Sequence, residues 1–436
     1  MQYYSTQKQV PMVSLREAVV KGLAPDRGLY MPETIGQLSS SFYDGITGMS
    51  LTTLAQHVAR SFFGEDIPQK ELDAIVGDTL NFDIPLVKVE EGIYVLELFH
   101  GPTFAFKDVG ARFMARMLSY FVKKKQQEDV KVLVATSGDT GSAVANGFLG
   151  VEGIQVFVLY PSGKVSDIQE AQFTTLGQNI VALEIDGTFD DCQALVKAAF
   201  MDEELNIQLN LTSANSINVA RFLPQSFYYF HAYAQLLKQA QAPPEKVVFS
   251  VPSGNLGNLT AGLFAKRMGL PADRFIAAHN RNDVFRDYLQ TGKYSPRASV
   301  QTVANAMDVG APSNFDRILD LYDHDHQAIA NDISAYRYDD GEIKKTIRSV
   351  HQNINYLLDP HGACAYLALK EGLQTGETGI FLATAHPAKF RETVEECLGE
   401  QIRIPEALEA FMQRKKETHT LSNDFNLFKK ALINLS

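Results

Sequence analysis

The stretch VKVLVATSGDTGSAVANGF, residues 130–148, carries the pattern that decides the fold. Its apolar run up to Ala135 predicts a buried strand, the small residues up to Gly141 predict a loop, and the remainder has helical spacing. The same order recurs twice, with apolar runs and helical patterns at residues 154–160, 167–176, 180–185 and 189–200. Strand, loop and helix thus alternate roughly every 25 residues, which is typical of right-handed parallel βαβ units.

The alternation resumes in the second half of the chain, after a long aromatic-rich helical stretch at residues 215–238 that could join two lobes. Further strands and helices are predicted at residues 246–252, 259–268, 274–278, 379–384 and 388–398. We therefore predict an α/β fold with two lobes and mainly parallel sheets. Ligands in such sheets usually bind in crevices at the carboxyl ends of the strands.

The segments around this core look different. Residues 1–80 have mostly helical patterns and predict a helical N-terminal extension, residues 280–345 look irregular and polar, and residues 401–436 look like a helical tail. The predicted organisation is the extension, a two-lobed core at 81–400 and the tail. Within the core, we expect a smaller lobe at about 111–215 and a larger lobe formed by 81–110 and 216–400.

Composition limits what the chain can bind. Of its 436 residues 45% are hydrophobic and 21% charged, which is typical of a globular protein with a large core. A net charge of −11 argues against nucleic acid or anionic membrane as a partner, because both require a basic surface. Cys192, Cys364 and Cys397 are far apart, and the first residues lack a secretion signal, so we expect a cytoplasmic protein.

Two loops that follow predicted strands are candidates for anion binding. In PSGNLGN, residues 252–258, Gly254 and Gly257 let successive backbone N–H groups approach a phosphate at a helix start. The alternative is a tight turn ended by a helix cap, which asparagines also favour. TSGDTG, residues 136–141, has the same placement and the same two interpretations. The chain has no Gly-x-x-x-x-Gly-Lys-Ser/Thr and no Gly-x-Gly-x-x-Gly motif, so nucleotide hydrolysis and classical dinucleotide binding are not indicated.

One lysine stands out in HGPTFAFKD, residues 100–108, where Lys107 is flanked by Phe104 and Phe106. Apolar neighbours penalise the charged ammonium and lower its pKa, which makes the amine nucleophilic near neutral pH. The alternative is an ordinary surface lysine whose aliphatic stem lies over apolar neighbours.

Three further segments contain polar residues that could contribute to a site. His361 and His386 lie beside prolines in turns, and their spacing resembles no metal site, so hydrogen-bonded structural roles are favoured. Arg221 could bind a phosphate through two N–H groups, or it could pair with an acidic neighbour.

Six motifs in order resemble those of the threonine synthase family, in the branch found in enteric bacteria and fungi. These are HGPTFAFKD, ATSGDTG, SANSINVAR, VPSGNLGN, NAMDVG and TAHPAKF. The resemblance covers most of the chain, including the N-terminal extension, and it implies the fold type II architecture of pyridoxal-phosphate enzymes, which tryptophan synthase β shares. It overturns the surface interpretation of Lys107.

The resemblance implies roles for individual residues. Lys107 would form the Schiff base with pyridoxal 5'-phosphate, Asp139 would lie near the phenolic oxygen of the ring, and Thr384 would hydrogen-bond to the pyridine nitrogen. The cofactor phosphate would be cradled by Gly254, Asn255, Leu256, Gly257 and Asn258. Many relatives have Asn where Asp139 stands, so the contact with the phenolic oxygen would require a shared proton. Leu256 replaces a usual Phe, which should matter little because that position contributes mainly its backbone N–H.

The implied reaction converts O-phospho-L-homoserine and water to L-threonine and phosphate by γ-elimination and β-hydration, the last step of threonine biosynthesis. The freed amine of Lys107 would take the α proton and then the β proton. Candidates for binding the substrate phosphate are Ser137, Thr140, Lys164, Asn218 and Arg221. We expect a monomer or homodimer with no metal.

Two other functions stay open at this point. The first is a different reaction on the same cofactor, such as serine or threonine dehydration, which needs no subsite for a substrate phosphate. The second is a pyridoxal-phosphate-binding or phosphate-sensing protein without catalysis.

Overall fold

The computed structural model describes residues 1–125, 129–240 and 243–436. Its strands are β1 (Gln2–Ser5), β2 (Val13–Ser14), β3 (Tyr30–Pro32), β4 (Leu86–Glu90), β5 (Ile93–Glu97), β6 (Val130–Ala135), β7 (Ile154–Pro161), β8 (Ile180–Asp186), β9 (Leu211–Ser213), β10 (Lys246–Pro252), β11 (Arg274–His279), β12 (Ile333–Arg337), β13 (Glu377–Ala383) and β14 (His419–Ser422).

The α-helices are α1 (Leu15–Lys21), α2 (Ser40–Gly45), α3 (Leu51–Phe63), α4 (Gln69–Thr79), α5 (Lys107–Lys125), α6 (Asp139–Phe148), α7 (Asp167–Thr174), α8 (Phe189–Met201), α9 (Glu203–Leu209), α10 (Val219–Phe222), α11 (Phe227–Gln239), α12 (Gly257–Arg267), α13 (Val284–Thr291), α14 (Phe315–Leu321), α15 (His326–Asp332), α16 (Asp340–Ile354), α17 (Pro360–Gly372), α18 (Arg391–Leu398), α19 (Glu406–Met412) and α20 (Phe425–Leu435). Short 3₁₀ segments occur at Ile46–Gly48, Leu223–Ser226, Asn305–Met307 and Pro387–Phe390.

Two mainly parallel sheets form the core, and the predicted α/β fold is confirmed. The smaller sheet has the order β14-β8-β7-β6-β9 and is parallel throughout. The larger sheet has the order β12-β11-β10-β13-β5-β4, in which β4 alone runs antiparallel to its neighbour. Every residue of β6 is buried, because helices cover both faces of a parallel sheet and leave no polar side.

The predicted strands at residues 130–135 and 246–252 coincide with β6 and β10. The helices that follow them begin earlier than their apolar periodicity suggested, at Asp139 and at Gly257. Both candidate anion loops therefore end directly at helix N-termini, where backbone N–H groups lack intrahelical acceptors.

Three segments differ from their sequence-based description. The N-terminal extension contains a small antiparallel sheet of order β2-β1-β3 beside its helices. Residues 280–345 are not irregular throughout, since they hold α13, α14, α15 and β12. The C-terminal tail is not purely helical, because β14 pairs with β8 in the smaller sheet. These elements are short, and short elements give too few repeats for periodicity to reveal them.

The stretch at residues 215–238 is a core element broken into pieces. It begins as a loop, forms α10, passes through a 3₁₀ segment that contains Pro224, and continues as α11. Phe222, Phe227 and Phe230 are fully buried within it. The stretch thus packs between the N-terminal extension and the larger sheet, and it presents its first residues to the crevice between the sheets. No helix in the described part of the chain is long and apolar enough to cross a membrane.

Candidate active site

A cavity of about 490 Å³ opens at the carboxyl ends of β6, β10 and β13. Its walls come from the start of α5, the loops after β6 and β10, the loop before α10, the residue after β13 and the segment around the 3₁₀ turn at 305–307. Most of the residues predicted from the sequence to form the site line it: Lys107, Ser137, Thr140, Arg221, Gly254, Asn255, Leu256, Gly257, Asn258 and Thr384.

Lys107 is the first residue of α5 and lines this cavity. Burial lowers the pKa of its ammonium to about 8; the charge of Asp139 opposes that shift, and those of Arg221 and Lys389 add to it. The neutral amine is therefore on the order of a hundred times more abundant at neutral pH than in a free lysine. The two flanking phenylalanines lie differently: the ring centroid of Phe106 is 5.7 Å from the Lys107 nitrogen, whereas Phe104 packs edge-to-face on His386.

The backbone of Lys107 is tied to the end of β13. The N–H of Phe106 donates to the carbonyl oxygen of Thr384 at 2.8 Å, and Ala105 forms an isolated β-bridge with Ala385. The Thr384 side chain also lines the cavity, and its hydroxyl has no hydrogen-bond partner among the described residues. It is therefore available to a ligand that carries a ring nitrogen.

The loop after β10 forms a backbone anion site, which we call the cup (residues 254–258). Within the described residues, none of its five backbone N–H groups donates to a protein acceptor. Leu256 has a left-handed backbone with φ of 61°, while its side chain is fully buried in the core. The cup thus has the unpaired N–H groups and the helix N-terminus that a phosphate requires.

The side chains of the cup hold the loop in place. Asn255 donates to Ser216 Oγ at 2.7 Å and accepts from the N–H of Ser313 at 2.6 Å, and Asn258 donates to the carbonyl oxygen of Pro252 at 3.1 Å. Since both asparagines are engaged in this way, the backbone is what the loop offers to a ligand.

A second layer around the cup was not predicted from the sequence. Asn314 donates to the carbonyl oxygen of Asn255 at 3.0 Å, and it accepts from the guanidinium of Arg317 at 2.7 Å. Arg317 is fully buried and also donates to the carbonyl oxygen of Tyr30 at 3.1 Å. These hydrogen bonds connect the N-terminal extension to the cup, and no local sequence motif predicts them.

Arg221 forms a separate anion site in the same cavity. Its side chain is 2% exposed, one guanidinium nitrogen donates to the carbonyl oxygen of Ala214, and its Nε has no partner in the described structure. No carboxylate among the described residues lies within ion-pair distance of it. Burial lowers the pKa of its guanidinium to about 10, so it remains charged at neutral pH. A buried cation with unused N–H groups at a cavity wall is suited to an anionic ligand.

Ser137, in the loop after β6, and Thr140, in the first turn of α6, both line the cavity. The loop is held by Thr136, whose hydroxyl accepts from the N–H groups of Gly138 at 2.9 Å and Gly141 at 2.8 Å. The two predicted hydroxyls are therefore presented by a turn with its own internal hydrogen bonds.

Asp139 lies behind the cavity wall rather than in it. Its Oδ1 is 2.7 Å from the ammonium of Lys389 and accepts from Gln169 at 2.8 Å. Burial alone would raise the pKa of this carboxyl, but the charges of Lys389 and Lys107 outweigh it and hold the pKa well below the usual range. Sequence reasoning missed Lys389, although its position between Ala388 and Phe390 is an unusual apolar setting for a lysine.

Two predicted residues are not brought into the cavity. Lys164 is exposed and lines a separate hollow. Asn218 is fully buried, but its side chain caps α10 and donates to the carbonyl oxygen of Val19 at 2.8 Å. Neither side chain lines the cavity that Arg221 lines, because Lys164 lies on the surface and the Asn218 amide is engaged by hydrogen bonds within the core.

The two histidines have structural roles in the structure. His361 reaches the cavity, but its Nε2 accepts from the N–H of Ala306 at 3.1 Å, so Nδ1 carries the proton and donates to Asp359 at 2.6 Å. His386 accepts from the N–H of Ala388 at 3.1 Å, and burial lowers the pKa of its ring to about 4.

The residues present fit pyridoxal phosphate. They provide an amine with a lowered pKa, a phosphate site made of unpaired backbone N–H groups and a free hydroxyl near the end of β13. Residues 76–384 match the family model described as pyridoxal-phosphate dependent enzyme. The chain is thus a pyridoxal-phosphate-dependent enzyme of fold type II.

The comparisons also identify the family within that class. Residues 2–80 match the model for the threonine synthase N terminus, and residues 362–432 match the model for the threonine synthase C-terminal region. The threonine synthase of Haemophilus influenzae is 45% identical over 433 residues, which cover 99% of this chain and 100% of the relative.

Solved structures agree with the sequence comparison. The crystal structure of threonine synthase from Escherichia coli has a TM-score of 0.93 at 43% identity, with 100% of both chains covered. A pyridoxal-phosphate-bound threonine synthase from Brucella melitensis has a TM-score of 0.92 at 37% identity, covering 100% of this chain and 99% of that one. The chain belongs to the threonine synthase family.

Proposed function

We propose that this enzyme converts O-phospho-L-homoserine and water to L-threonine and phosphate. The observation that carries the proposal is the presence of two separately built anion sites in one cavity, the cup and Arg221. One serves the cofactor phosphate, and the other is left for a phosphate on the substrate. A dehydratase acting on serine or threonine has no substrate phosphate to bind.

The cofactor would be held at three points. The cup would bind its phosphate, Lys107 would form the Schiff base with its aldehyde and release water, and the Thr384 hydroxyl would hydrogen-bond to its ring nitrogen. When bound, pyridoxal phosphate takes up the electrons released as bonds beside the substrate amine are broken. Asp139 would act from behind the wall, through its charge on Lys107, in place of the direct contact that the resemblance implies.

Arg221, Ser137 and Thr140 would bind the phosphate of the substrate. The guanidinium donates from a buried position, where a charged hydrogen bond is stronger than in water, and the two hydroxyls add donors from the opposite loop. The same groups hold the phosphate as the bond between the γ carbon and oxygen breaks. This placement lets an acidic protein bind a dianion, because the positive charge is local.

Lys107 would move the protons. Once the substrate amine has displaced it, its neutral Nζ would take the proton from the α carbon and release it before taking a second proton from the β carbon. Phosphate leaves with the electron pair of its bond to the γ carbon. Two protons then return, one to the γ carbon and one to the α carbon, while the oxygen of water bonds to the β carbon and the proton lost by that water goes to the phosphate. A base works best when its pKa lies near the operating pH, and the pKa of about 8 for Lys107 meets that condition.

The test is to supply the purified holoenzyme with O-phospho-L-homoserine and measure L-threonine and inorganic phosphate. We expect the two products in equal amounts. Release of phosphate without threonine, or keto-acid formation from L-serine at a higher kcat/KM, would contradict the proposal and favour the dehydratase.

We further propose a cytoplasmic enzyme that acts on a small molecule. The support is the absence of a spanning helix among the described residues, the acidic surface and the three buried thiols, which remain unpaired.

A further inference from the structure

Lys389 is a buried ammonium whose ion-pair partner is Asp139. Its side chain is 0% exposed, and its Nζ lies 2.7 Å from Oδ1 of Asp139 and 2.8 Å from the carbonyl oxygen of Thr103. Among the described residues no other carboxylate lies within ion-pair distance of it. Because an isolated buried charge is strongly unfavourable, each member of this pair requires the other.

The pair joins the two halves of the core. Asp139 begins α6, which follows β6 of the smaller sheet, whereas Lys389 lies in the 3₁₀ segment after β13 of the larger sheet. Gln169 of α7 donates to the same carboxylate oxygen at 2.8 Å. The carboxylate is thereby fixed in orientation behind the cavity wall, one residue before Thr140, which lines the cavity together with Lys107.

The two charges act on Lys107 with opposite sign. The carboxylate of Asp139 raises the pKa of Lys107, and the ammonium of Lys389 lowers it. The other charged or titratable groups that face this cluster are Arg221 from α10, Asp108 from α5 and His386 from the segment after β13. Without Lys389, the negative charge of Asp139 would raise the pKa of Lys107 without compensation and lower the share of neutral amine near neutral pH.

We propose that Lys389 is a positioning residue that neutralises Asp139 and thereby leaves the nitrogen of Lys107 free to react near neutral pH. The inference rests on the proposed function in one respect, the covalent bond between Lys107 and the cofactor. It adds a residue whose contribution is electrostatic and which does not enter the cavity where substrate binds.

The experiment is a pH titration of the visible absorption of the holoenzyme without substrate, because that absorption reports the protonation of the nitrogen bonded to the cofactor. We expect Lys389→Met to move the midpoint upward by about 1 pH unit or more, since an uncompensated carboxylate favours the protonated form. Asp139→Asn should move it downward, since it leaves the ammonium uncompensated.

The double variant Asp139→Asn with Lys389→Met keeps the inference testable even if a single variant folds poorly. It removes one charge of each sign, so we expect a midpoint close to that of the unmodified enzyme and a higher Tm than either single variant. Lys131→Met is the matched control, because Lys131 is another buried lysine, with an amide partner at 2.9 Å, outside the cavity lining. Its midpoint should not move.

An unchanged midpoint in a folded Lys389→Met enzyme would overturn the inference, as would single variants that shift the midpoint in the same direction. A merely structural role would lower the Tm and leave the midpoint in place. Turnover of O-phospho-L-homoserine is measured separately: shifted midpoints without threonine formation would contradict the proposed function and support this inference. A holoenzyme with no visible band would contradict both.

Discussion

The two anion sites of the cavity are built in different ways. The cup uses backbone N–H groups of consecutive residues at the start of α12, and its side chains serve only to hold the loop. The site at Arg221 uses one buried side chain whose guanidinium donates to the carbonyl oxygen of Ala214, seven residues earlier in the chain. A backbone site depends on the path of the chain, whereas a side-chain site depends on one residue. Single substitutions should therefore separate the binding of the two phosphates.

Lys107 lines the same cavity as both anion sites and would bond covalently to the cofactor, so its loss should have the largest effect. We expect Lys107→Ala to lose the visible absorption of the bound cofactor and to lower kcat/KM by at least about 10³-fold, since it removes the covalent attachment and the base together. Absorption spectra and threonine formation check this result. Lys197→Ala, which removes an exposed lysine of α8 at the cavity mouth, is the comparison, and activity retained in Lys107→Ala would contradict the assignment.

Arg221→Ala should separate substrate binding from cofactor binding. We expect the KM for O-phospho-L-homoserine to rise by about 10- to 100-fold, since the variant loses charge-assisted hydrogen bonds, while the Kd for the cofactor changes little. Steady-state kinetics and cofactor titration measure the two quantities. Arg116→Ala is the control: this arginine of α5 also donates to a carbonyl, at 2.9 Å, but lies outside the cavity lining. Equal losses in both constants would indicate that Arg221 only supports the fold.

Gly254→Ala should weaken the binding of the cofactor more than the binding of the substrate. A Cβ at this position would lie 2.8 Å from Cα of Met307 and 3.0 Å from the carbonyl oxygen of Ala306, so the cup must shift. We expect the cofactor Kd to rise by roughly 10-fold, as a modest displacement weakens several phosphate hydrogen bonds at once. Gly36→Ala meets no atom within 4 Å and is the matched control. A change confined to the substrate KM would show that the cup does not hold the cofactor.

The smallest effect that we expect is the influence of the Arg221 charge on the pKa of Lys107. A lysine with a pKa of about 8 is mostly protonated at pH 7, so the rate at which the cofactor-free enzyme captures pyridoxal phosphate should rise about fivefold from pH 7 to 8 and level off above pH 9. Because Arg221 lowers that pKa, Arg221→Ala should move the midpoint upward, and Gly254→Ala should leave it in place. Stopped-flow absorbance measures the rates. Midpoints that coincide in all three proteins would remove the electrostatic link between Arg221 and Lys107.

Much of the fold could be predicted because its signals are local. An apolar run, a turn rich in small residues and a helical period fit within one window, which is why β6 and β10 coincide with the predicted strands. The short strand β14 and the helices between residues 280 and 345 were missed. Their stability comes from packing on elements distant in sequence, and their own patterns are too short to identify.

The residues of the candidate site also divide into those that a sequence motif identifies and those whose position depends on packing. The local patterns around Lys107 and the cup left alternatives open, and the six ordered motifs decided between them. Lys164 and Asn218 were candidates for the substrate phosphate, but the structure places Lys164 on the surface and Asn218 at the N-cap of α10. A side chain's direction depends on how its element packs, which no local pattern reports.

The sequence by itself determined the class of protein, through six ordered motifs, and it singled out Lys107 as the candidate reactive lysine. Only the tertiary structure decided that Arg221 has no acidic partner within the part of the chain that the structure describes, and that Asp139 forms an ion pair with Lys389 across the two halves of the core. The physical reason is the distance along the chain over which each property is set. Backbone conformation is set largely by neighbours in the chain, whereas the charge state of a buried group is set by whichever residues folding brings to within a few ångströms of it.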